Sequence, residues 1–213
     1  MTSMARTAPF ERHHERYDQW FERHHAAYHS ELLALRALVP TRGFGLEVGV
    51  GSGRFAAPLG ISTGVDPAGS MLHYAAHRGI RVARAVAEAL PFRPGLFDHA
   101  LVVTTICFVD DAAGMLAEIH RVLRADGMLC VGFVDRDTAL GRFYLSQRAD
   151  NVFYRDAVFY ASADVDGLVR EAGFRDLRWV QTLLGPPDTM TEIEPVRDGH
   201  GTGGFVVVRA TRT

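Results

Sequence analysis

The chain has no lysine: all 23 of its basic residues are arginine, and 25 acidic residues leave a net charge of −2. That balance excludes the global positive excess which holds nucleic acid or anionic lipid, so no nucleic-acid partner is expected. Cysteine is scarce too. Only Cys107 and Cys130 occur, both in apolar stretches that read as strand ends. A disulfide framework is therefore not what holds the fold together, and a reducing compartment, the cytoplasm, is expected. No apolar run approaches the roughly 18 residues needed to cross a membrane. The first residues, with Glu11, His13, His14, Glu15 and Arg16, lack the hydrophobic segment of a secretory signal. Internal repeats and low-complexity tracts are also missing.

What is present is the material of one folded domain. At 213 residues, 47% hydrophobic and 23% charged, the chain can bury a core of its own and has no room for a second. From Phe10 to Leu38 there is neither Pro nor Gly, and Tyr17, Trp20, Phe21, Tyr28, Leu32, Leu35 and Leu38 recur at helical spacing. Two helices or one bent helix are expected there. After Pro40 and Gly43, short apolar runs (44–48, 64–65, 80–85, 99–103, 128–134) alternate with amphipathic segments, the pattern of a parallel sheet covered by helices. Residues 111–123 and 162–172 read as two such helices. The last run, 205–210, follows a long Gly- and Pro-containing loop rather than a helix, so it can pair antiparallel with its predecessor.

Gly45-Leu46-Glu47-Val48-Gly49-Val50-Gly51-Ser52-Gly53 ends a strand, and the spacing predicts that it opens a helix, with small residues letting backbone amides approach a ligand. Asp66 stands directly after the next short run, where a carboxylate can accept both hydroxyl protons of a ribose. Together they point to an adenosine-containing ligand, although glycine clusters and Asp-Pro steps also make plain turns. Gly51-x-Gly53-x-x-Ala56 also satisfies a dinucleotide fingerprint, which keeps a nicotinamide-dependent oxidoreductase as an alternative. Glu47 argues against it, because a carboxylate there suits an uncharged or cationic tail better than a pyrophosphate.

Glu47-x-Gly49-x-Gly51-x-Gly53 resembles the first motif of the class I S-adenosylmethionine (SAM) dependent methyltransferases. Gly64-Val65-Asp66-Pro67 with Ser70-Met71-Leu72 resembles their second. Ala87-Glu88-x-Leu90-Pro91-Phe92, Phe97-Asp98 and Arg121-Val122-Leu123-Arg124-x-Asp126-Gly127 follow in family order. The closer likeness is to small prokaryotic methyltransferases of unassigned substrate. The resemblance implies a doubly wound, Rossmann-like α/β sheet of about seven strands, mostly parallel with an antiparallel last strand, beneath an N-terminal helical lid. It implies one domain over 1–213, with the lid at 1–40, a cofactor-binding half at 41–135, and a substrate-side half at 136–213 carrying an aromatic insertion at 137–162. It implies methyl transfer from S-adenosyl-L-methionine to a small-molecule acceptor, yielding S-adenosyl-L-homocysteine (SAH), or else a non-catalytic SAM-binding sensor. Cofactor contacts carry over to Gly49, Gly51 and Gly53, to Glu47 near the ammonium, to Asp66 and Pro67 at the ribose, to Met71, Ala87, Glu88 and Leu90 around adenine, and to Thr104. Val86 stands where many relatives place an Asp.

The acceptor pocket should lie at the carboxyl ends of the strands, walled by the segments before the first strand and after the fifth. Tyr17 and Trp20 are the foremost candidates, with Cys107, Arg142, Tyr144, Tyr154, Tyr160 and His200 beside them. No general base is identified. His25 and His29 are four apart on a helix, but no acidic or Cys ligand completes a set, so no metal is expected.

Overall fold

The computed structural model describes residues 7–213, so the first six residues of the expected lid lie outside the described residues. Strands β1 (Gly45–Val48), β2 (Thr63–Asp66), β3 (Arg81–Arg84), β4 (Phe97–Val103) and β5 (Leu123–Val134) pair in parallel with their neighbours. With β6 (Phe174–Thr182), β7 (Arg197–Asp198) and β8 (Phe205–Arg212) they form one eight-stranded sheet, ordered β3-β2-β1-β4-β5-β8-β6-β7. β8 runs antiparallel between β5 and β6. The strand beyond the expected seven is the two-residue β7, an edge strand inside the long loop before β8.

Three helices, not two, precede the sheet: α1 (Ala8–Arg12), α2 (His14–Arg23) and α3 (His25–Leu38), broken at His13 and His24. They are followed in the chain by α4 (Gly69–His77), α5 (Ala112–Val122), α6 (Ala139–Ser146) and α7 (Ser162–Glu171). On β4 the strand alternation sorts side chains to the two faces: Ala100 and Val102 share one core with Met115 and Ile119 of α5 and Val165 of α7, whereas Leu101 and Val103 share the other with Leu35 of α3 and Ala75 of α4. Met115, Leu116 and Ile119 have no exposed surface, and burying each contributes about 1.5–3 kcal/mol. Asp111 starts α5 by accepting the Gly114 amide at 2.9 Å, a cap of about 1 kcal/mol.

The glycine loop departs from expectation. It opens no α-helix; turns lead to a single 3-10 turn, Ala57–Leu59, before β2. Pro58 offers no amide to extend that turn, and Gly60 leaves it in the left-handed region at φ 74°.

Chain order reverses direction between β1 and β4, which lie side by side. The loops after those two strands must therefore part, and a crevice opens at their carboxyl ends.

Candidate active site

The crevice is a cleft of about 720 Å³ lined by the loops after β1, β2, β3 and β4, roofed by α1 and α2. Asp66 ends β2 on its wall. Its Oδ2 accepts the Gly51 amide at 2.9 Å and its Oδ1 the Ala68 amide at 2.8 Å, which fixes the carboxylate beside the glycine loop. Burial, only partly offset by those two bonds, raises its pKa to about 6.

The three glycines of the loop are small for different reasons. A Cβ on Gly51 would meet only Met71 and Tyr17, at 3.4 and 4.0 Å, so this residue borders open cleft. A Cβ on Gly49 would lie 2.1 Å from Thr105 Oγ1, and one on Gly53 would lie 2.5 Å from Ile80 Cδ1. Gly53 thus packs behind the cleft rather than on it. Glu47 is 1% exposed beneath the loop, and its Oε2 has no hydrogen-bond partner among the described residues. Burial drives its pKa well above the ordinary carboxylate range, the Ala56 amide pulling the other way.

Pro67, Met71, Val86, Ala87, Glu88 and Thr104 all line the cleft. Glu88 also holds the far wall together by accepting the Asp110 and Asp111 amides at 3.0 and 3.2 Å. Leu90 does not line it: the side chain is in the core and the amide donates to Glu118 Oε2 at 2.8 Å. Thr104 leaves β4 at φ 49°, a conformation costing a non-glycine residue about 1–3 kcal/mol, while its amide remains bonded to Gly132 O at 2.8 Å.

A second cavity, of about 1480 Å³, adjoins the first and shares Phe10, Tyr17, Thr104 and Phe108 with it. Its walls come from α2, α3, α6 and the segment after α6, and include Trp20, Tyr144 and Tyr154. At one side Trp20 stacks on His24, whose Nε2 is 2.7 Å from Asp188 Oδ1. Four other sequence candidates lie outside both cavities. Cys107 Sγ donates to Thr104 O at 3.1 Å, and Arg142 is exposed, donating to Asp137 O. Tyr160 packs against the core on the side of the sheet that carries α5 and α7, and His200 is exposed beside Trp179 at a ring separation of 4.9 Å. Phe10, Phe108, Thr105 and Glu31 join the walls with no motif to announce them. For Glu31 a signal exists, a lone carboxylate among Ala27, Leu32, Ala34, Leu35 and Leu38 on the buried face of α3. His25 and His29 lie 4.0 Å apart with their rings tilted by 46°, and no group of ligating side chains suited to a metal occurs among the described residues.

The family described as "Methyltransferase domain" matches residues 46–131. An uncharacterized protein of Methanocaldococcus jannaschii is 38% identical over 203 residues, covering 95% of this chain and 98% of that protein. An uncharacterized protein of Mycobacterium tuberculosis is 37% identical over 215 residues, covering 98% of this chain and 75% of that one. The crystal structure of a Thermotoga maritima SAM-dependent methyltransferase, designated a possible histamine N-methyltransferase, matches with a TM-score of 0.95 at 46% identity, covering 98% of this chain and 100% of that chain. This chain belongs to the class I SAM-dependent methyltransferases and is an enzyme whose cofactor is S-adenosyl-L-methionine.

Proposed function

We propose that the enzyme methylates a small molecule seated in the second cavity, with SAM in the cleft and the two meeting at Thr104 and Tyr17. The observation that carries this reading is the shared wall of Phe10, Tyr17, Thr104 and Phe108 between a cleft edged by Asp66 and a larger aromatic cavity. Two adjoining cavities roofed by α1 and α2 suit small ligands rather than a polymer groove. The small aromatic amine in the designation of the Thermotoga protein has a size such a cavity admits.

The chain's own residues fit the cofactor. Glu47 Oε2, buried and without a partner, supplies an acceptor for an ammonium group. Asp66 presents its remaining lone pairs to ribose hydroxyls, Gly51 allows close approach, and Ala87 with Met71 borders the adenine side. Val86 brings no carboxylate to that side, so adenine is held there by packing and backbone. When bound, SAM supplies an electrophilic methyl group on a sulfonium. The enzyme's task is then to align an acceptor atom behind that methyl and keep water out; alignment alone can supply several kcal/mol, up to about 7–11. Thr104, held by its amide on β4's neighbour strand, and Tyr17, on the roof, stand at the junction where alignment must occur. A dinucleotide is a poorer fit, since no helix N-terminus follows the glycine loop to receive a pyrophosphate.

Calorimetry with SAH and with NAD separates these readings. Binding of SAH at one per chain with no heat from NAD supports the assignment; the reverse pattern removes it. Release of SAH from SAM on adding small-molecule libraries then distinguishes an enzyme acting on such acceptors from a non-catalytic sensor.

A further inference from the structure

The second cavity contains one buried carboxyl group. Glu31 lies on the core-facing side of α3, is 6% exposed, and lines the cavity. Its carboxylate pairs with no described side chain or amide, and burial alone shifts its pKa. A buried carboxyl without partners is costly, and the same helix face could have carried Leu or Met at no such cost. The group is kept where a ligand would meet it.

Its surroundings say which ligand. Tyr17 from α2, Tyr144 from α6 and Tyr154 after α6 line the cavity with it and stand in its electrostatic reach. Burial, the largest cause for each, keeps these phenols protonated and neutral, so they offer hydroxyls and ring faces but no charge. Asp188 adds a further negative group, engaged with His24. The arginines lining the cavity, Arg16 and Arg23, are exposed. The interior is thus aromatic around one buried carboxyl that ionises when a cation pairs with it, the combination that holds an organic cation through a charge-assisted hydrogen bond and cation–π contact.

We propose that Glu31 receives the amino group of the methyl acceptor, and that the acceptor is a small amine enclosed by the rings of this cavity. This rests on the methyltransferase reading above. An amine arrives as its ammonium, whose nitrogen has no free electron pair. Transfer of one proton to the Glu31 carboxylate converts R–NH₃⁺ and –COO⁻ to R–NH₂ and –COOH, conserving charge and atoms and freeing the pair that forms the new bond. Burial raises the pKa of Glu31 to about 8, so before a ligand enters the cavity holds it protonated at neutral pH. An entering ammonium displaces that proton to solvent, and the carboxylate so formed is a strong enough base to take a proton from the amine in that exchange. An anionic acceptor would gain no ion pair there and would oppose the ionisation of Glu31.

The test titrates the SAH-saturated enzyme with 2-phenylethylamine, 2-phenylethanol and phenylacetate, which are close in size and differ in charge, and with a panel of other aryl- and heteroarylalkyl amines. At least one amine is expected to bind about tenfold or more tightly than the matched alcohol, with phenylacetate weakest. Glu31→Gln should lose that preference while SAH affinity and alcohol affinity stay unchanged. Amine binding should also exchange protons with the buffer in the wild type and not in Glu31→Gln. If Glu31→Gln fails to bind SAH, Glu31→Asp serves, and should keep part of the preference. Equal binding of amine and alcohol, preference for phenylacetate, silence from every amine, or an unaltered preference in a variant that still binds SAH would each overturn the proposal. Failure of the wild type to bind SAH at all would instead strike the methyltransferase reading on which it rests.

Discussion

Glu11 of α1 caps a helix to which it is not joined: its Oε2 accepts the Ser70 hydroxyl at 2.6 Å and the Ser70 amide at 3.0 Å, while Oε1 accepts the Gly69 amide at 2.7 Å. Helix α4 begins after Ala68, which has no side-chain oxygen, so Glu11 supplies the missing cap from a distance and pins the roof beside Pro67 and Asp66. Bonds from Ser70 hold the Glu11 carboxyl below its usual range, against some desolvation.

Glu11→Ala should therefore cost about 0.5–2 kcal/mol, as losing an N-cap does, and loosen the roof as well. Amide exchange over residues 8–23 and 69–74 should quicken together. Faster exchange in only one of the two segments would mean that the cap does not couple them.

The glycine loop predicts a contrast between neighbours. Gly49→Ala places a methyl 2.1 Å from Thr105 Oγ1 and should destabilise the fold by about 1–3 kcal/mol through overpacking. Gly51→Ala has room in the folded chain, and its left-handed φ of 50° should cost about 1 kcal/mol. Its methyl points into the cleft, however, and SAH affinity should drop about tenfold or more if a loss near 1.4 kcal/mol results. Equal SAH binding by Gly51→Ala and wild type, measured by calorimetry, would turn the loop into a plain turn.

Two carboxyls predict opposite responses of stability to pH. Asp18 pays desolvation, but hydrogen bonds from Arg54 and Arg78 outweigh it and hold the pKa at about 2. A depressed pKa stabilises above the unfolded value near 3.9, and that stability is lost as pH falls toward 2. Glu31, raised to about 8 by burial alone, favours the fold fully below about 4.3 and progressively less as pH rises to 8, by at most roughly 1.4 kcal/mol per unit. Melting curves of Glu31→Gln should thus lose part of the wild-type decline between pH 5 and 8, whereas Asp18→Asn should soften the decline in acid. A Glu31→Gln profile parallel to the wild type would mean that water in the cavity solvates the carboxylate fully.

What the sequence discloses is what is local. Strand runs such as 99–103, the helix after Asp111, and the sequential pairing of glycine loop with Asp66 follow from period, caps and spacing within some thirty residues. The meeting of Glu11 with Ser70 spans 59 positions and that of Arg54 with Asp18 spans 36, and no periodicity encodes either. Helix expectation after Gly53 fails because Pro58 and Gly60 stop the turn within three residues of its start. Among pocket candidates, Tyr17, Trp20, Tyr144 and Tyr154 share a cavity because their segments converge on one sheet end. Aromatic content alone could not separate them from Tyr160, which packs against the core on the other side of the sheet, and the glycines around His200 carry it out beside Trp179 rather than inward. Glu31 was concealed by its charge, since a Glu on a helix ordinarily reads as a solvent-facing residue.

The measurement that bears most directly on the account is the pH dependence of SAH binding in the wild type and in Asp66→Ala. If Asp66 must be ionised to accept the ribose hydroxyls, wild-type affinity should be flat above about pH 7 and weaken as pH falls through about 6, because the free carboxyl takes up a proton that binding must expel. Asp66→Ala should bind SAH more weakly by at least about 1–2 kcal/mol at pH 8 and show none of that dependence. Unchanged affinity in Asp66→Ala, or a wild-type affinity indifferent to pH from 5 to 8 alongside it, would contradict the placement of the cofactor in this cleft.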